Sequence, residues 1–336
     1  MTEELVRVDH LVKHFPVFST GILLKKKVGE VHAVDDVSLV IGKGETVGLV
    51  GESGCGKTTA GKVLLDLETR DSGQVTFEGK DVYATLEKGN ANEKKYLRRN
   101  MQMVFQNPYG SLDPRMTVFD IISEPFIIHG NIPKKEWGER VYELLKMVGL
   151  EEYHAERYPH EFSGGQRQRI SIARALATDP KFIVADEPVS SLDVSIRAQI
   201  LNLLEELQAK EGISFLYISH DLSSVRQISQ HVVVMYLGKI FEHAPTDVIF
   251  DRPLNPYTIA LLSAIPIPDP EKQRKRIILP GDVPSPVNPP SGCRFHPRCP
   301  YATDLCKEQE PPLRELERDH LVACHYAEKF MPPASQ

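Results

Sequence analysis

Short runs of apolar residues, bounded by glycine, proline or aspartate, alternate with amphipathic stretches along the first 250 residues. Such short apolar runs are typical of strands buried inside a parallel sheet, and their alternation with helices predicts an α/β fold. The predicted strands are ETVGLV (45–50), KFIVAD (181–186), ISFLYI (213–218) and HVVVMYLGKIF (231–241), the last with a turn at Gly238. The predicted helices lie at 57–67 and 194–210.

Two later stretches break this pattern. In KKEWGERVYELLKMVGL (134–150) the apolar residues have helical spacing, with Gly149 near the expected helix end. We therefore expect a helical subdomain over about 106–178, inserted into an α/β domain of residues 1–250. Farther along, IPIPDPEKQRKRIILPGDVPSPVNPPSG (265–292) is rich in proline and predicts a linker without regular elements. Residues 251–336 are expected to be an extension that ends in a small irregular metal-cluster domain.

The composition is that of an ordinary globular protein, with 41% hydrophobic and 26% charged residues among 336. The formal net charge of −6 argues against a nucleic-acid partner, because nucleic-acid binders usually carry a basic balance. The chain has no membrane-spanning apolar run of about eighteen residues, and its N-terminus lacks the plan of a signal peptide. We therefore expect a reducing, cytosolic location, where disulfides are rare.

A glycine-rich loop follows the first predicted strand. GESGCGKT (51–58) matches G-x-x-x-x-G-K-[ST] between a strand and a helix, the context that this phosphate-binding motif requires. The glycines that keep the backbone N–H groups open to phosphate oxygens are Gly51, Gly54 and Gly56. The following helix directs its positive end at the same anion, Lys57 adds a full charge, and the Thr58 hydroxyl is a ligand for Mg²⁺. Cys55 is expected to be a small filler of this P-loop and not a redox centre.

Two acids end another predicted strand. In FIVADEP (182–188), Asp186 stands at the strand end, where it suits a contact to Mg²⁺, direct or through water. Glu187 is one residue further and can polarise an attacking water. His220 follows the next predicted strand, and the carboxyl ends of parallel strands meet at one ligand crevice. We expect His220 to contact the γ-phosphate and to orient Glu187.

A second glycine-rich helix start occurs in PHEFSGGQRQRISIARALA (159–177). Ser163 is a natural N-cap, while Gly164 and Gly165 expose backbone amides to an anion. One chain can hardly use two such helix starts on one nucleotide. We therefore expect a head-to-tail dimer, in which each ATP lies between one chain's P-loop and its partner's SGGQ.

Together, GESGCGKTT, FSGGQ, VADEP, SSLD (190–193) and His220 resemble the nucleotide-binding subunits of ABC transporters, in order and in spacing. The resemblance covers roughly residues 5–250 and implies a P-loop NTPase core of the RecA type with the helical subdomain of ABC ATPases. It also implies that Gln106 touches Mg²⁺ and water and that Asp193 crosses the dimer seam. In the same way, Phe15 is implied to stack on adenine.

The resemblance implies a complete set of site residues. The catalytic residues are Glu187, His220, Gln106 and Lys57. The ligands of Mg²⁺ are Thr58, Gln106 and Asp186. The nucleotide-binding residues are Phe15, Gly51, Ser53, Gly54, Cys55, Gly56, Lys57, Thr58, Thr59, Ser163, Gly164, Gly165, Gln166 and Asp193.

Three segments resemble one subgroup, the ATPases of peptide and nickel importers. They are FQNPYGSLDPRMTV (105–118), NPYTIALLSAIP (255–266) and the cysteine-bearing tail. The intact SGGQ resembles the second ATPase of dipeptide or oligopeptide importers. The resemblance implies a heterodimer with a related ATPase, bound to two membrane permeases at the cytoplasmic face of the membrane and supplied by an extracellular peptide-binding protein. A nickel importer is the nearer alternative, and a soluble ABC ATPase without a transport role is the more distant one.

Four of the five cysteines lie in the tail, at Cys293, Cys299, Cys306 and Cys324. Structural zinc sites usually contain C-x₂₋₄-C pairs, and this spacing has none. A [4Fe–4S] cluster needs four cysteines but tolerates varied spacing, and the resemblance to peptide importers also implies such a cluster. Zinc and free thiols remain the alternatives. His296 and His325 adjoin the cysteine segments and are expected to lie around the metal or at the surface.

Overall fold

The computed structural model describes residues 3–18, 26–130, 132–265 and 277–331. The strands are β1 (Glu4–Phe18), β2 (Lys27–Gly42), β3 (Thr46–Val50), β4 (Ser72–Phe77), β5 (Lys80–Asp81), β6 (Met101–Val104), β7 (Phe182–Asp186), β8 (Ser214–Ser219), β9 (His231–Tyr236), β10 (Lys239–Pro245), β11 (Arg314–Glu317) and β12 (His320–Val322).

The α-helices are α1 (Lys57–Leu64), α2 (Val82–Lys88), α3 (Ala91–Asn100), α4 (Pro108–Ser111), α5 (Val118–His129), α6 (Trp137–Met147), α7 (Gly164–Leu176), α8 (Val194–Glu211), α9 (Leu222–Ile228), α10 (Thr246–Asp251), α11 (Pro256–Ser263) and α12 (Asp304–Glu308). Short 3₁₀ turns lie at Lys134–Glu136, Glu152–Glu156, Pro159–Glu161, His296–Arg298 and Ala327–Phe330. In the part of the chain that the structure describes, no helix combines the length and apolarity that a membrane crossing requires.

The chain divides into two compact units. The first, here called the signature unit, contains the described residues of Met1–Val6, Ile41–Thr46 and Thr76–Ser219. The second, the P-loop unit, contains the described residues of Arg7–Val40, Val47–Val75 and His220–Gln336.

The signature unit is built on the parallel strands β6, β7 and β8, with β7 in the middle. Their registers pair Met101 with Phe182 and Phe182 with Ser214. Every residue of β7 and β8 is buried, because strands of a parallel sheet are covered on both faces. The strands predicted at 181–186 and 213–218 are thus confirmed to within one residue.

Helices of the same unit pack around α7, which contacts α4, α5, α6 and α8. Helix α6 lies within the stretch predicted as helical at 134–150, and Gly149 follows its end with φ of +70°. In that left-handed conformation glycine avoids the steric cost of a Cβ, which explains its place after the helix. The helix predicted over 194–210 is confirmed as α8.

In the P-loop unit, β3 runs parallel to β9, with Val47 opposite His231, and β10 pairs antiparallel with β9. All five residues of β3 are buried, as its apolar sequence predicts. The predicted turn at Gly238 is confirmed between β9 and β10, where φ of Gly238 is +84°.

The C-terminal extension continues this sheet. Strand β12 pairs with β10, placing Val322 opposite Glu242, and β11 pairs with β12. The prediction of a small irregular C-terminal domain is therefore wrong for β11, β12 and α12. Its short strands carry no periodicity of their own, and their hydrogen bonds come from neighbours, β10 for β12 and β12 for β11. Residues 277–292 contain neither helix nor strand, as predicted for the linker, whereas 266–276 lie outside the described residues.

The extension also shares the core of the P-loop unit. Tyr236 of β9 and Phe241 of β10 pack against Tyr257 of α11 and Phe295 of the cysteine segment. Ring centroids lie 4.7 Å apart for Tyr236 and Tyr257 and 5.3 Å apart for Tyr257 and Phe295. Aromatic rings in such contact contribute more than their buried area alone. The extension is therefore packed into this unit and not tethered beside it.

Candidate functional site: an ATP-binding cassette with a cysteine cavity

The P-loop between β3 and α1 depends on two glycines for its course. Gly51 has φ of +153° and Gly56 of +109°. A Cβ atom on Gly51 would lie 2.1 Å from the carbonyl oxygen of Met235, and one on Gly56 would lie 1.8 Å from that of Ala33. The loop is thus wedged against neighbouring backbone, which fixes its N–H groups in one arrangement.

Lys57, the first residue of α1, is buried beneath this loop. Its Nζ donates to the carbonyl oxygens of Gly51 at 2.8 Å and Glu52 at 3.0 Å. Cys55 is buried beside it, and burial raises the pKa of the Cys55 thiol. A thiol kept neutral in this way is a poor nucleophile, which agrees with its expected role as a filler. Ser53 is exposed at the crest of the loop.

In the signature unit, Asp186 ends β7 and is only 2% exposed. Glu187 follows with φ of +44°, a conformation that is uncommon for residues other than glycine. Its backbone N–H donates to the carbonyl oxygen of Ile218 at 2.9 Å. Its carboxylate accepts a hydrogen bond from Gln106 Nε2 at 2.8 Å, so the structure brings together two residues far apart in sequence.

The signature motif SGGQ (163–166) opens helix α7 through a reciprocal cap. The Ser163 hydroxyl accepts from the N–H of Gln166 at 3.3 Å, and the Gln166 side chain accepts from the N–H of Ser163 at 3.0 Å. A Cβ on Gly165 would lie 2.3 Å from Cγ2 of Ile196, so this glycine permits close packing against α8. The caps leave the other N-terminal amides of α7 for an anion.

Other predicted residues lie at the edges of elements. Asp193 is exposed at the N-cap of α8 without a side-chain capping bond. His220 is exposed just after β8 and belongs to the P-loop unit. Phe15 is half-buried in β1, with Lys13 Nζ 4.9 Å from its ring centroid. The roles assigned to these residues, and to Thr58 and Thr59 in α1, stay predictions.

The four tail cysteines line one cavity in the P-loop unit, together with aromatic side chains that include Phe241 and Phe295. None of the cysteines is in a disulfide. No three of their sulfur atoms lie within 4.8 Å of one another among the described residues. A single tetrahedral zinc ion requires sulfurs about 3.8 Å apart, so three of these sulfurs would have to move closer together to hold one.

Backbone amides surround the cysteine sulfurs. The N–H groups of Phe295, Tyr301 and Tyr326 donate to the sulfurs of the cysteines two positions before them, at 3.4 Å for Tyr326. Burial raises the pKa of Cys293 to about 12 and that of Cys324 to about 11. The neutral thiols are therefore favoured without a metal, while the amides are placed to stabilise thiolates once a positive centre binds.

Sequence inspection missed three residues around the P-loop, namely Glu52, Tyr257 and Arg298. Arg298 forms a bidentate pair with Glu52, and Tyr257 accepts from the Glu52 N–H. Glu52 occupies a variable position of the motif, so the motif does not single it out. The only hint for Arg298 was its place directly before Cys299.

His14, His32 and Asp35 also lie close together, with ligand atoms within 4.8 Å of one another. The Asp35 carboxylate, however, is already paired with the guanidinium of Arg294, and Lys239 Nζ lies 4.0 Å away. Two cations on one carboxylate disfavour a further metal ion. We therefore assign no metal to this group.

The fold and these motifs together define a nucleotide-hydrolysing cassette of the ABC class. Residues 34–190 match the family model described as ABC transporter, and residues 241–306 match the model described as oligopeptide/dipeptide transporter, C-terminal region. The chain belongs to the ATP-binding proteins of oligopeptide and peptide ABC transporters.

Curated relatives match over nearly the whole chain. The oligopeptide transport ATP-binding protein AppF of Bacillus subtilis is 52% identical over 325 residues, which cover 96% of this chain and 97% of AppF. A probable peptide ABC transporter ATP-binding protein of Sinorhizobium fredii is 50% identical, covering 97% of this chain and 90% of that protein.

Solved structures agree on the fold. The dimeric ATP-binding cassette MJ0796, in a post-hydrolysis state with ADP and Pi, superposes with a TM-score of 0.62 at 29% identity, covering 72% of this chain and 99% of that one. CbiO1 of Clostridium perfringens gives 0.61 at 25% identity, covering 75% and 93%. The predicted α/β ABC ATPase fold and the predicted ATPase activity are confirmed.

Proposed function

We propose that this chain powers the import of oligopeptides or dipeptides by hydrolysing ATP. The observation that carries the peptide assignment is the C-terminal extension, because the ATPase motifs alone are shared by cassettes with many cargoes. Residues 241–306 match the oligopeptide/dipeptide transporter region, and the two curated relatives described above are named for oligopeptide or peptide transport. This also favours peptide over nickel as the cargo.

The residues have separate tasks in hydrolysis. The P-loop amides and Lys57 bind the β- and γ-phosphates, because the loop presents N–H groups and a buried ammonium to the anion. Thr58, Gln106 and Asp186 hold Mg²⁺, whose charge offsets that of the phosphates. Ser53 and Thr59 contact the phosphates, Cys55 fills the loop, and Phe15 stacks on adenine.

Glu187 accepts a proton from the attacking water as the water oxygen bonds to the γ-phosphorus, while the bond from that phosphorus to the β–γ bridging oxygen breaks, releasing ADP and phosphate. Gln106 holds the Glu187 carboxylate at 2.8 Å, which limits the positions it can take. His220 contacts the γ-phosphate and completes the alignment of Glu187 and water. Each of these groups acts on the water or on the transferred phosphoryl group.

The working unit is a head-to-tail dimer. Ser163, Gly164, Gly165 and Gln166 at the start of α7 bind the nucleotide held by the partner's P-loop, and Asp193 contributes at the seam. The dimeric state of the cassette MJ0796 supports this assembly. We propose that the partner is a related but different ATPase, so that the pair is a heterodimer.

The pair acts from the cytoplasmic face of the membrane, as a peripheral complex on two permease subunits. An extracellular binding protein supplies the peptide. ATP closes the two ATPases, the closure reaches the permeases through the region near residues 106–130, and hydrolysis reopens them. The exposed side chains of Ile127 and Ile128, at the end of α5, offer an apolar surface in this region.

Cys293, Cys299, Cys306 and Cys324 hold a [4Fe–4S] cluster, with zinc as the alternative. The four thiols around one cavity and the amides that donate to three of them support the larger group. When bound, the cluster supplies four iron–thiolate bonds that cross-link the extension. Its expected role is structural or sensory.

The test of the transport role is reconstitution. The chain, its co-encoded ATPase, both permeases and the binding protein would be placed in proteoliposomes, and uptake of a labelled oligopeptide would be measured with and without ATP. We expect uptake that depends on ATP, that stops with Glu187→Gln, and that excess Ni²⁺ does not reduce. Uptake of ⁶³Ni²⁺ without peptide uptake would instead identify the nickel importer.

A further inference from the structure

Glu52 in the P-loop is held by two side chains of the C-terminal extension. Its backbone N–H donates to Tyr257 Oη at 2.9 Å. Its two carboxylate oxygens accept from the Arg298 guanidinium, at 2.7 Å from Nη1 and 3.1 Å from Nη2. A bidentate pair of this kind fixes both the position and the orientation of the carboxylate.

The pair is sheltered from water. The side chain of Arg298 is 8% exposed and that of Glu52 is 26% exposed. Arg298 Nη1 also lies 3.5 Å from Tyr236 Oη, within the aromatic core described above. Charges that are partly removed from water interact more strongly than surface pairs. Removing either partner would leave the other as an uncompensated charge that is partly shielded from water.

Arg298 takes its position from the cysteine segment. It ends the 3₁₀ turn His296–Arg298, and its own N–H donates to the carbonyl oxygen of Phe295 at 3.0 Å. The next residue, Cys299, lines the cysteine cavity, and its N–H donates to the carbonyl oxygen of His296 at 3.3 Å. The segment that carries the cysteines thus also carries the cation that holds the P-loop.

The charge of Glu52 makes this contact relevant to nucleotide binding. The ammonium of Lys57 donates to the Glu52 carbonyl oxygen at 3.0 Å. The residue that carries the carboxylate is therefore in direct contact with the lysine proposed to bind phosphate. A carboxylate without its partner would compete for Lys57 and repel the phosphates. Pairing with Arg298 compensates that negative charge and holds the side chain in place.

We propose that Arg298 is a positioning residue for ATP binding, which acts on the P-loop by neutralising and holding Glu52. The inference rests on the proposed role of the P-loop in binding ATP and extends it to the tail. It makes the cysteine segment part of the nucleotide site, although no cysteine touches the nucleotide.

The experiment measures the dissociation constant of ATP with Mg²⁺ by calorimetry, on the full-length chain. The variants are Arg298→Ala, Arg298→Gln, Glu52→Gln and the double variant Glu52→Gln/Arg298→Ala. The matched control is Arg314→Ala, because Arg314 forms a bidentate pair with Glu328 and donates to the Cys324 carbonyl oxygen in the same extension, but the P-loop is not among these partners. Lys57→Ala defines the loss expected when the P-loop itself is disabled.

We expect Arg298→Ala to weaken ATP binding by about tenfold, the range of a lost charge-assisted contact. Arg298→Gln keeps most of the side-chain volume and should weaken binding in the same direction, which provides a result if the alanine variant does not fold. Glu52→Gln leaves Arg298 unpaired, but a cation there does not repel phosphate, and the double variant leaves neither charge. Both variants should therefore bind within about threefold of the natural chain, because no unpaired carboxylate remains. Arg314→Ala should leave the constant unchanged.

Recovery in the double variant is the distinguishing result, since a merely structural Arg298 would leave both Arg298→Ala and the double variant equally impaired. That outcome, or unchanged affinity in both Arg298 variants, overturns the proposal. Iron content is measured in the same samples. If the chain holds no iron but the double variant recovers its ATP affinity, the role of Arg298 is supported and the cluster is contradicted. Failure of the cluster proposal can therefore be distinguished from failure of the Arg298 proposal.

Discussion

The Gln106 side chain donates a hydrogen bond to the Glu187 carboxylate across 2.8 Å. Glu187 itself sits in a left-handed backbone conformation, with φ of +44°, directly after the buried strand β7. Catalytic positions often combine a strained backbone conformation with a side chain that is fixed by a hydrogen bond from a distant part of the chain. The contact therefore supports Glu187, more than Asp186, as the group that meets the water.

Replacement of Glu187 by Gln is expected to lower ATP hydrolysis by at least about 100-fold, the usual contribution of a general base. The amide keeps the shape of the side chain and a hydrogen bond with Gln106, so ATP binding should persist. Phosphate release by the chain with its partner ATPase measures the first effect, and calorimetry measures the second.

The control for this variant is Glu211→Gln, at the exposed C-terminal end of α8. It makes the same chemical change in the same unit and should leave hydrolysis within about twofold, since exposed substitutions away from the site have small effects. Full activity in Glu187→Gln would remove Glu187 from its assigned role.

The P-loop glycines differ in what surrounds them, which gives a matched pair of substitutions. Gly56→Ala would place its Cβ 1.8 Å from the Ala33 carbonyl oxygen at φ of +109°. We expect it to destabilise the chain by about 3 kcal/mol or more, because backbone must move. Gly54→Ala enters open space at φ of +78° and should cost only about 1 kcal/mol.

Urea unfolding of both variants measures this difference in the free energy of unfolding. Equal losses for Gly54→Ala and Gly56→Ala would mean that the loop can relax away from Ala33. ATP affinity is not the readout here, because a methyl group on either glycine also intrudes on the phosphate site.

Much of this arrangement could be predicted from sequence. The strands β3, β7 and β8 are buried on both faces and therefore have continuous apolar sequences, with motif residues at their ends. Local patterns were sufficient there. The reciprocal cap of Ser163 and Gln166 is equally local, because its partners are three residues apart.

The extension was less predictable, because its order depends on distant partners. Strand β12 has three residues and is stabilised by β10, while Arg298 pairs with a residue 246 positions away. The sequences RELE and HLV have no periodicity that predicts a strand. An arginine beside a cysteine is typical of a charged surface residue. Only the folded chain shows these contacts within the P-loop unit.

His320 and Glu242 join the extension to β10 through a buried pair, in which His320 Nε2 lies 2.8 Å from Glu242 Oε1. Glu242 also accepts from the N–H groups of Leu254 at 2.6 Å and Asn255 at 3.2 Å. We expect His320→Ala to lower the free energy of unfolding by about 3 kcal/mol, because it leaves a buried acid short of one partner and opens a cavity.

Arg318→Ala is the control for this variant, since Arg318 lies two residues away and its side chain is 89% exposed. It should change the urea midpoint very little. If His320→Ala were no more harmful than Arg318→Ala, the buried pair would contribute little to the docking of the extension.

The fifth cysteine provides the control for the proposed cluster. Cys299→Ser removes one of the four cavity thiols, whereas Cys55→Ser changes a buried thiol in the P-loop. Protein purified without oxygen should be brown, with an absorbance shoulder at about 400 nm and about four irons per chain. Cys299→Ser should lose most of that colour and iron, because a hydroxyl is a far poorer ligand for iron than a thiolate. Cys55→Ser should keep both, since Cys55 does not line the cavity. Colourless protein with one zinc per chain would favour the single-ion alternative and contradict the cluster.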